Sequence, residues 1–600
     1  MGAVAGLSAL ISAAHALAIP PFLPPDETAH VGYALNAVAG DIPPVDAKPN
    51  ASRIPHMREG LSLWVTNHPP LLYLVLGVPL RLAEMAGVPL LGFYALRLAG
   101  VASVAVGYLL VGWFAVLLLP QRPGAAVVAT GVAATVPYSL HVAGMVYNDG
   151  FAFAVVAALL VAAAVVLQRG VTTTRVVTLT GLAVVAANLR VVGVAAAAGC
   201  LGCLAVAQLL HGRGPVAARL GRGVGLAAVS GVVTLASSAW FYVGFNLARY
   251  DSLTGAPALL ELHDRAPHTG TLAERLVDPA YLRELMSQYW ARVEADAVSA
   301  SYLPEALLVV GRWAIGVVLA VAVLVGVWRL SRGAWRQPAG VALCWALAVG
   351  WFAVLYVAMA DFVQAGGGPH LRYLWPAVGT YGGVAAAGLT AAGRRAGAVA
   401  GVAFVGLQLV AAAIVLAEVV WRPTLTAAPG EPAPDVALRA LAAGTPAAAG
   451  AVLVVLAAAG LALAAVWARS VWVLLPDDDR TYLAASPSGW TVGVAGRWHV
   501  RPADVALATV AGTAAGWVAA YEHAIPVSLP LLVAGVAVGA AITSALTCRS
   551  HPAPPGSTPS GSAPPGSAPS GAVAGTAADG GGGDQSGRPG SSGQRRRRGP

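Results

Sequence analysis

Long apolar segments joined by short loops that carry Arg are the feature that most constrains this chain. A helix needs about 20 mostly apolar residues to cross a bilayer core, and the chain supplies such runs repeatedly along its 600 residues. Charged residues make up 10% of the sequence, against about 25% in soluble proteins. The pattern therefore predicts an all-α polytopic membrane protein and excludes a soluble globular fold.

The apolar runs predict about 14 transmembrane helices, within a range of about 12 to 14. The predicted spans are 3–20, 93–119, 125–142, 150–167, 176–191, 193–210, 223–246, 305–328, 339–360, 373–392, 397–420, 448–468, 504–521 and 527–547. Residues 21–92 form a long first loop. Within it, Pro70 to Ala86 is apolar but contains Arg81 and Glu84, so we expect a helix that lies in the membrane interface.

The positions of Arg predict the orientation, because short cytoplasmic loops are enriched in basic residues. With the N-terminus in the cytoplasm, the Arg-rich loops all fall inside, at 121–124, 168–175, 211–222, 329–338 and 393–396. The first loop and the segments 148–149, 247–304 and 361–372 then face outward. We therefore expect a multi-pass plasma-membrane protein with an extracytoplasmic site, and the net charge of +9 requires no nucleic-acid partner.

Three regions can be distinguished along the chain. Residues 1–400 form a transmembrane module that contains every outward-facing polar motif described below, and residues 401–548 add further helices. Residues 549–600 are rich in Pro, Gly and Ser and end in the cluster Arg595–Arg598. Such a composition cannot bury a core, so we expect this cytoplasmic tail to be disordered.

The most unusual polar stretch is Pro25-Asp26-Glu27-Thr28-Ala29-His30, directly after the first apolar segment. Ionisable groups near membrane depth are costly and need either a partner or a function. A carboxylate beside several Arg side chains suits one reaction well. It can remove a proton from an acceptor hydroxyl while the guanidinium groups bind a phosphate leaving group.

Further polar residues gather on the same predicted face of the membrane. The candidates for substrate binding are His30, His68, Arg97, Asn148, Asp149, Arg190, His370, Arg372 and Tyr373. The planar guanidinium of Arg matches phosphate oxygens better than the ammonium of Lys does. Together with Asp26 and Glu27, this set predicts a site for transfer from a lipid phosphate.

Each of these residues also has a structural interpretation. Asp26 is a good N-cap for a following helix, and Glu27 suits the first turn of that helix. His30 is explained by a structural hydrogen bond, and Asn148-Asp149 by a helix cap. The Arg residues can pair with neighbouring carboxylates for stability alone.

The ordered set of outward-facing motifs resembles the GT-C superfamily of membrane glycosyltransferases, and more narrowly glycosyltransferase family 39 and related bacterial integral membrane proteins. The residues that carry the resemblance are Asp26-Glu27 with His30 and Tyr33, Pro69-Pro70-Leu71-Leu72-Tyr73, Arg97, Asn148-Asp149, Trp240, Asn246 and Tyr250, and Arg372-Tyr373 with Pro376. They cover about residues 1–400. Two departures are Tyr250-Asp251-Ser252, where Tyr-Gly-Asp is typical, and Arg190, where Lys is common.

The resemblance implies inverting transfer of a sugar from a polyprenyl-phosphate donor to a glycan, lipid or protein acceptor outside the cytoplasm. The resemblance implies that Asp26 is the general base and that Glu27 orients the acceptor or the loop of Glu27. It implies that the lipid phosphate is bound by Arg97, Arg190 and Arg372. The pocket would be lined by His68 and Asn148-Asp149. Some superfamily members use a divalent metal, but the sequence forms no convincing ligand set.

Two other interpretations stay open at this point. A transporter or flippase of a lipid-linked glycan would also need many spans and buried Arg, although no internal repeat is visible. The Cys200-Leu-Gly-Cys203 spacing is that of a metal or redox motif, but it lies in an apolar helix without a second pair. Packing of small residues is therefore the preferred explanation of these two cysteines.

Overall fold

A computed structural model describes residues 1–19, 21–22, 24–49, 54–58, 60–290, 305–333, 338–421 and 449–475. Every regular element within these residues is helical, so the prediction of an all-α protein is confirmed. The predicted spans 504–521 and 527–547 and the tail 549–600 lie outside the described residues.

The α-helices follow one another in the order α1 (Gly2–Ala18), α2 (Pro25–Val38), α3 (Leu71–Met85), α4 (Pro89–Leu118), α5 (Pro123–Ala134), α6 (Pro137–Ala143), α7 (Asp149–Arg169), α8 (Thr173–Ala187), α9 (Val191–His211), α10 (Val216–Phe241), α11 (Ala248–Tyr250), α12 (Ala256–Leu262), α13 (Leu272–Val277), α14 (Pro279–Trp290), α15 (Glu305–Gly333), α16 (Ala339–Gln364), α17 (Val378–Leu389), α18 (Arg394–Trp421) and α19 (Ala449–Leu474). A π-helical turn, Tyr242–Leu247, follows α10. Two 3-10 helices matter for the site, Trp64–Asn67 and Leu371–Ala377.

Seven helices in the described part of the chain are long and apolar enough to cross a membrane, or eight if the bent pair α5–α6 counts as one span. Three shorter apolar helices accompany them, at Gly2–Leu17, Thr173–Ala187 and Gly316–Leu330. The chain is thus a multi-pass membrane protein. The predicted number of about 14 spans stays a prediction.

The centre of the bundle is the contact between α4 and α7, which pack closely along their lengths. The ring of Phe153 on α7 lies against Gly107 on α4, where a Cβ atom would come within 2.3 Å of the ring. A side chain at residue 107 would therefore push the two helices apart. α7 also packs against α9 and α16, and these contacts fix the helix ends that form the site.

Two predicted spans differ from the structure. The span 125–142 is divided into α5 and α6, which meet at 60°, because Pro137 begins a new helix and has no backbone N–H to continue the first. The span 373–392 is a 3-10 helix that contains Pro376, followed by the 12-residue α17. This second break sets Arg372 off from the transmembrane helix that follows.

The first loop contains two α-helices, α2 and α3, of which α2 entered the sequence analysis only through the structural interpretation of Asp26 and Glu27. α3 agrees with the predicted interfacial helix, because Val75 and Met85 on one face are 63% and 74% exposed while Tyr73 on the other is buried. α3 approaches α2 closely at Gly77, where a Cβ atom would lie 2.3 Å from the carbonyl oxygen of Ala34. The interfacial helix therefore supports the helix that carries Asp26 and Glu27.

Candidate active site

The start of α2 directs two adjacent carboxylates to different places. Pro24 is the N-cap, and Pro25 follows at the first helical position, where a missing N–H costs nothing. Asp26 and Glu27 lie in the first turn, where successive side chains point about 100° apart. Because Pro24 is the N-cap and Asp26 already lies inside the helix, the interpretation of Asp26 as an N-cap is wrong.

Glu27 forms a closed ion pair with Arg97 of α4. The guanidinium donates from Nε to Oε1 at 2.8 Å and from Nη2 to Oε2 at 2.7 Å. Both side chains are 0% exposed. Arg97 also donates through Nη1 to the carbonyl oxygens of Ala16 and Ile19, at 2.6 and 2.5 Å. The pair therefore joins α2, α4 and the end of α1 inside the protein.

The remaining acceptor capacity of Glu27 is used by the backbone. Its Oε2 accepts from the N–H of Phe22 at 3.2 Å, and its Oε1 accepts from the N–H of Val146 at 2.9 Å. Glu27 thus orients the loop that leads into α2, which is one of the two roles predicted for it. The assignment of Arg97 to a lipid phosphate does not agree with this geometry, because burial and four hydrogen bonds hold its guanidinium away from the cavity.

Asp26 belongs to a second, open chain of charges. Its Oδ2 accepts from Nη2 of Arg372 at 2.7 Å. The Nε of Arg372 lies 3.9 Å from Oδ2 of Asp149, and the other oxygen of Asp149 pairs with Nη1 of Arg190. Asn148 accepts from the same Nη1 at 3.2 Å. Two carboxylates and two guanidinium groups therefore alternate in one row.

Helix ends bring these residues together from distant parts of the sequence. Asn148 is the N-cap of α7, without a side-chain capping bond, and Asp149 opens that helix. Arg190 is the N-cap of α9. Arg372 stands on the 3-10 helix before α17, with its guanidinium 4.8 Å from the ring centre of Tyr147. The three segments and α2 therefore converge on one cavity.

This row of charges lines a cavity of about 700 Å³. Nine of the eleven predicted site residues line it, namely Asp26, His30, His68, Asn148, Asp149, Arg190, His370, Arg372 and Tyr373. The two that do not are Glu27 and Arg97. Apolar side chains of α9 and α16, among them Val192 and Leu355, form another part of the wall. The cavity therefore has a charged region and an apolar one.

Two of the three predicted histidines that line the cavity, His30 and His68, are neutral donors or acceptors. Burial lowers the pKa of His30 to about 3, with Arg372 and Arg190 acting in the same direction and Asp149 against it. Burial also holds the pKa of His68 well below its usual value, and Arg190 adds to this effect. His30 shares a 2.9 Å hydrogen bond with the hydroxyl of Tyr73. The structural interpretation of His30 therefore applies, although its ring also lines the cavity.

Sequence reasoning missed a group of lining residues that lie in polar loops. Trp64 comes from the first loop, His263 and Arg265 from the segment after α10, and Asp361 from the end of α16. The run Gly366–Gly368, shortly after Asp361, was one signal available in the sequence. Gly366 has a φ of 105°, and a Cβ there would come within 2.7 Å of the carbonyl oxygen of Ala266. This close approach brings the two loops together.

Within the described ranges, no group of three or more His, Cys, Asp or Glu side chains is arranged to hold a metal ion. Cys200, Cys203 and Cys344 are buried and unbonded to one another. Each thiol is explained by packing within the bundle, as the sequence suggested for the first two.

Two kinds of comparison find nothing similar, and a third finds solved structures. No protein-family model matches the chain, and no curated protein matches it. It is similar to a crystal structure of ArnT from Cupriavidus metallidurans bound to undecaprenyl phosphate, with 16% identity, coverage of 78% of this chain and 76% of that chain, and a TM-score of 0.41. It is also similar to a crystal structure of ArnT from Cupriavidus metallidurans in the apo state. The identity is 17%, the match covers 77% of this chain and 73% of that chain, and the TM-score is 0.38. Likeness at this level supports no conclusion about activity.

Proposed function

We propose that the protein is a membrane glycosyltransferase that moves a sugar from a polyprenyl-phosphate donor to an acceptor outside the cytoplasm. The observation that carries the proposal is the row of alternating carboxylates and guanidinium groups that lines a cavity with apolar walls elsewhere. A charged region suits a sugar phosphate, and apolar walls between helices suit a lipid chain. Asp26, Asp149 and Arg372, which carry part of the resemblance to the GT-C superfamily, belong to this row.

Asp26 is the general base of the proposed reaction. Arg372 holds Oδ2 of its carboxylate, while Oδ1 has no partner among the described residues and belongs to a side chain that lines the cavity. A carboxylate fixed at one oxygen keeps the other oriented toward an incoming hydroxyl. The side chain is 18% exposed, so an acceptor can reach it.

Arg190 and the start of α9 form the proposed phosphate site. Only Nη1 of Arg190 is used by Asn148 and Asp149, so Nε and Nη2 have no partner in the described part of the chain. Val191 and Val192 follow at the N-terminus of the 21-residue helix α9 and also line the cavity. Backbone N–H groups and the helix dipole favour an anion at such a position.

The proposed step is a single displacement that inverts the anomeric carbon. Asp26 removes the proton of the acceptor hydroxyl, and the acceptor oxygen forms a bond to the anomeric carbon. The bond from that carbon to the phosphate oxygen breaks at the same time. Arg190 and Arg372 stabilise the negative charge that develops on the departing polyprenyl phosphate, and Asp26 later releases its proton to water.

Lipid and envelope analysis of a strain that lacks this protein tests the proposal. We expect a glycosyl polyprenyl phosphate to accumulate and one sugar to disappear from an envelope glycan, lipid or protein. Mass spectrometry of both fractions identifies the donor and the acceptor together. Unchanged lipid and envelope profiles would overturn the proposal.

A transporter of the same lipid would give a similar accumulation, so a second measurement separates the two functions. Solubilised in detergent, the membranes of the deletion strain have no barrier to transport. Purified protein that still consumes the glycosyl lipid in that mixture is an enzyme, and protein that leaves it intact is not.

A further inference from the structure

One part of the cavity carries polar and aromatic side chains that the proposed chemistry does not use. Trp64, Asn67 and His263 line it together with Arg265 and Asp361. They come from the first loop, the segment after α10 and the end of α16. This group is separate from the row of charges that begins at Asp26.

Trp64 and His263 form the aromatic part of the group. Their rings meet edge to face, with centres 5.5 Å apart. Trp64 is half-buried and His263 is exposed. In the part of the chain that the structure describes, neither the indole N–H nor the imidazole nitrogens have a hydrogen-bond partner. The pair therefore offers an apolar surface edged by unused polar groups.

A network of hydrogen bonds holds this surface in place. Asn246, in the π-helical turn after α10, donates to the carbonyl oxygens of Asn67 at 3.1 Å and Leu253 at 3.0 Å. Asn67 in turn donates to the carbonyl oxygen of Thr254 at 3.0 Å. The short helix that carries Trp64 is thereby tied to the segment that carries His263. Such support preorganises a binding surface, which reduces the entropy lost on binding.

The aromatic pair lies within electrostatic reach of the proposed base. Burial and the neighbouring Arg265 lower the pKa of His263, and the carboxylate of Asp26 acts in the opposite direction. His263 is therefore neutral at neutral pH, with one ring nitrogen as donor and the other as acceptor. A ligand in contact with Trp64 and His263 would extend toward Asp26 inside the same cavity.

We propose that Trp64, Asn67 and His263 form the acceptor subsite and that the acceptor is a carbohydrate. A sugar ring has an apolar face of C–H groups and an edge of hydroxyls. The indole of Trp64 fits the face, and Asn67 and His263 provide donors and acceptors for the edge. One hydroxyl is then directed to Asp26. This inference rests on the proposed function and specifies its acceptor.

A protein acceptor would be expected to find different chemistry. Extended peptides are recognised through rows of backbone hydrogen bonds and pockets for alternate side chains. The group described here instead combines one indole with isolated amide and imidazole side chains. Leu259 and Leu260 of α12 also line the cavity near His263. A lipid chain there would leave the indole N–H and the imidazole nitrogens without partners, whereas the hydroxyls of a sugar would pair with them.

Saturation-transfer NMR of the full-length protein in nanodiscs tests the subsite. The probes are methyl glucoside, methyl galactoside, methyl mannoside and methyl arabinofuranoside, together with a short Ser/Thr-rich peptide. We expect transfer to the ring protons of at least one glycoside, and about tenfold weaker binding in Trp64→Ala. Trp240→Ala is the matched control, because Trp240 is 51% exposed on α10 and does not line the cavity.

His263→Ala gives a second variant in case Trp64→Ala does not fold, and we expect several-fold weaker glycoside binding in it. Binding of undecaprenyl phosphate is measured on the same samples and should be unchanged in both variants. Undiminished glycoside binding in both variants, or transfer to the peptide and to no glycoside, would overturn the carbohydrate subsite. Wild-type protein that binds a glycoside but no undecaprenyl phosphate would instead contradict the proposed function.

Discussion

Asp26 and Glu27 are neighbours in sequence, and each pairs with an Arg at 2.7 Å, but the two ion pairs differ in burial and in the hydrogen bonds around them. The pair of Glu27 with Arg97 is 0% exposed on both sides and is surrounded by backbone hydrogen bonds. The pair of Asp26 with Arg372 is 18% and 10% exposed and lines a cavity. One pair lies inside the protein, and the other faces the space where a ligand would bind.

The difference shows what each environment permits. Once the oxygens and N–H groups of a buried pair all have partners, none remains to bind a substrate. Removal of one member of the pair leaves the other as a charge that water cannot reach. A partly exposed pair costs less to keep and can exchange partners. The closed pair therefore stabilises the fold around the start of α2, and we propose that the open pair performs the chemistry.

The largest effect on the protein itself is expected from Glu27→Gln. The substitution keeps the shape of the side chain but leaves Arg97 as an uncompensated buried charge, which costs about 3–5 kcal/mol. We expect little monodisperse protein in size-exclusion chromatography and a strongly lowered melting temperature. Glu84→Gln is the matched control. Glu84 is itself 7% exposed, but its partner Arg81 is 58% exposed, so the substitution leaves a hydrated guanidinium rather than a buried one and should cost about 0–1 kcal/mol. Equal stability of the two variants would contradict the distinction between closed and open pairs.

A smaller and more local effect is expected from Arg190→Gln. The variant loses the N–H groups that face the cavity, and hydrogen bonds to charged groups contribute about 1.5–3 kcal/mol. We expect about tenfold to hundredfold weaker binding of undecaprenyl phosphate, measured with protein in nanodiscs. Arg190→Lys should recover part of this loss, because it restores the charge without the planar fork.

The matched control for this binding experiment is Arg249→Gln. Arg249 is exposed and lies over the ring of Phe245, 4.2 Å from its centre, and it does not line the cavity. Its replacement should leave the affinity unchanged. If Arg190→Gln and Arg249→Gln weaken lipid binding equally, the phosphate site is elsewhere.

The smallest effect concerns pH and the ring of His30. Because its pKa in the folded protein is lowered to about 3, the unfolded chain binds a proton more readily below the ordinary value of about 6.5. The stability from neutral His30 is fully present above pH 6.5 and is lost progressively as the pH falls toward 3. Melting temperatures measured from pH 7.5 to 5 should therefore decline less in His30→Gln than in the wild type.

His268→Gln is the control for the pH series, because His268 is exposed and makes hydrogen bonds to the described residues through its backbone rather than its ring. It should follow the wild-type curve. A curve for His30→Gln that also coincides with the wild type would show that the buried ring of His30 does not determine the acid sensitivity.

Much of the site could be predicted from sequence because of the membrane. Apolar runs fix where spans begin and end, and Arg-rich loops fix which ends lie together. Asp26, Asp149, Arg190 and Arg372 could therefore be grouped although they are far apart along the chain. The structure adds that all four stand at helix starts: Asp26 and Asp149 in a first turn, Arg190 at an N-cap, and Arg372 on a 3-10 helix just before α17.

Which Arg pairs with Asp26 and which with Glu27 could not be predicted, because the pairing depends on the rotation of each helix about its axis. Arg97 and Arg372 both stand near outer ends of predicted spans. Arg97 is turned inward by the packing of α4 against α1 and by its ion pair with Glu27 of α2. Trp64 and His263 lie in polar loops without periodicity, so no pattern marks them. Their placement follows from long-range hydrogen bonds such as that from Asn246 to Asn67.

The most direct test of the central claim is consumption of the glycosyl polyprenyl phosphate by purified Asp26→Asn protein in detergent-solubilised membranes of the deletion strain. Asn keeps the size of the side chain, so the melting temperature of the variant should stay close to that of the wild type. The amide cannot accept the proton of the acceptor hydroxyl. We predict that wild-type protein converts the glycosyl lipid to polyprenyl phosphate and that the variant does so about 10²–10⁴-fold more slowly. Conversion by Asp26→Asn at the wild-type rate would contradict the account.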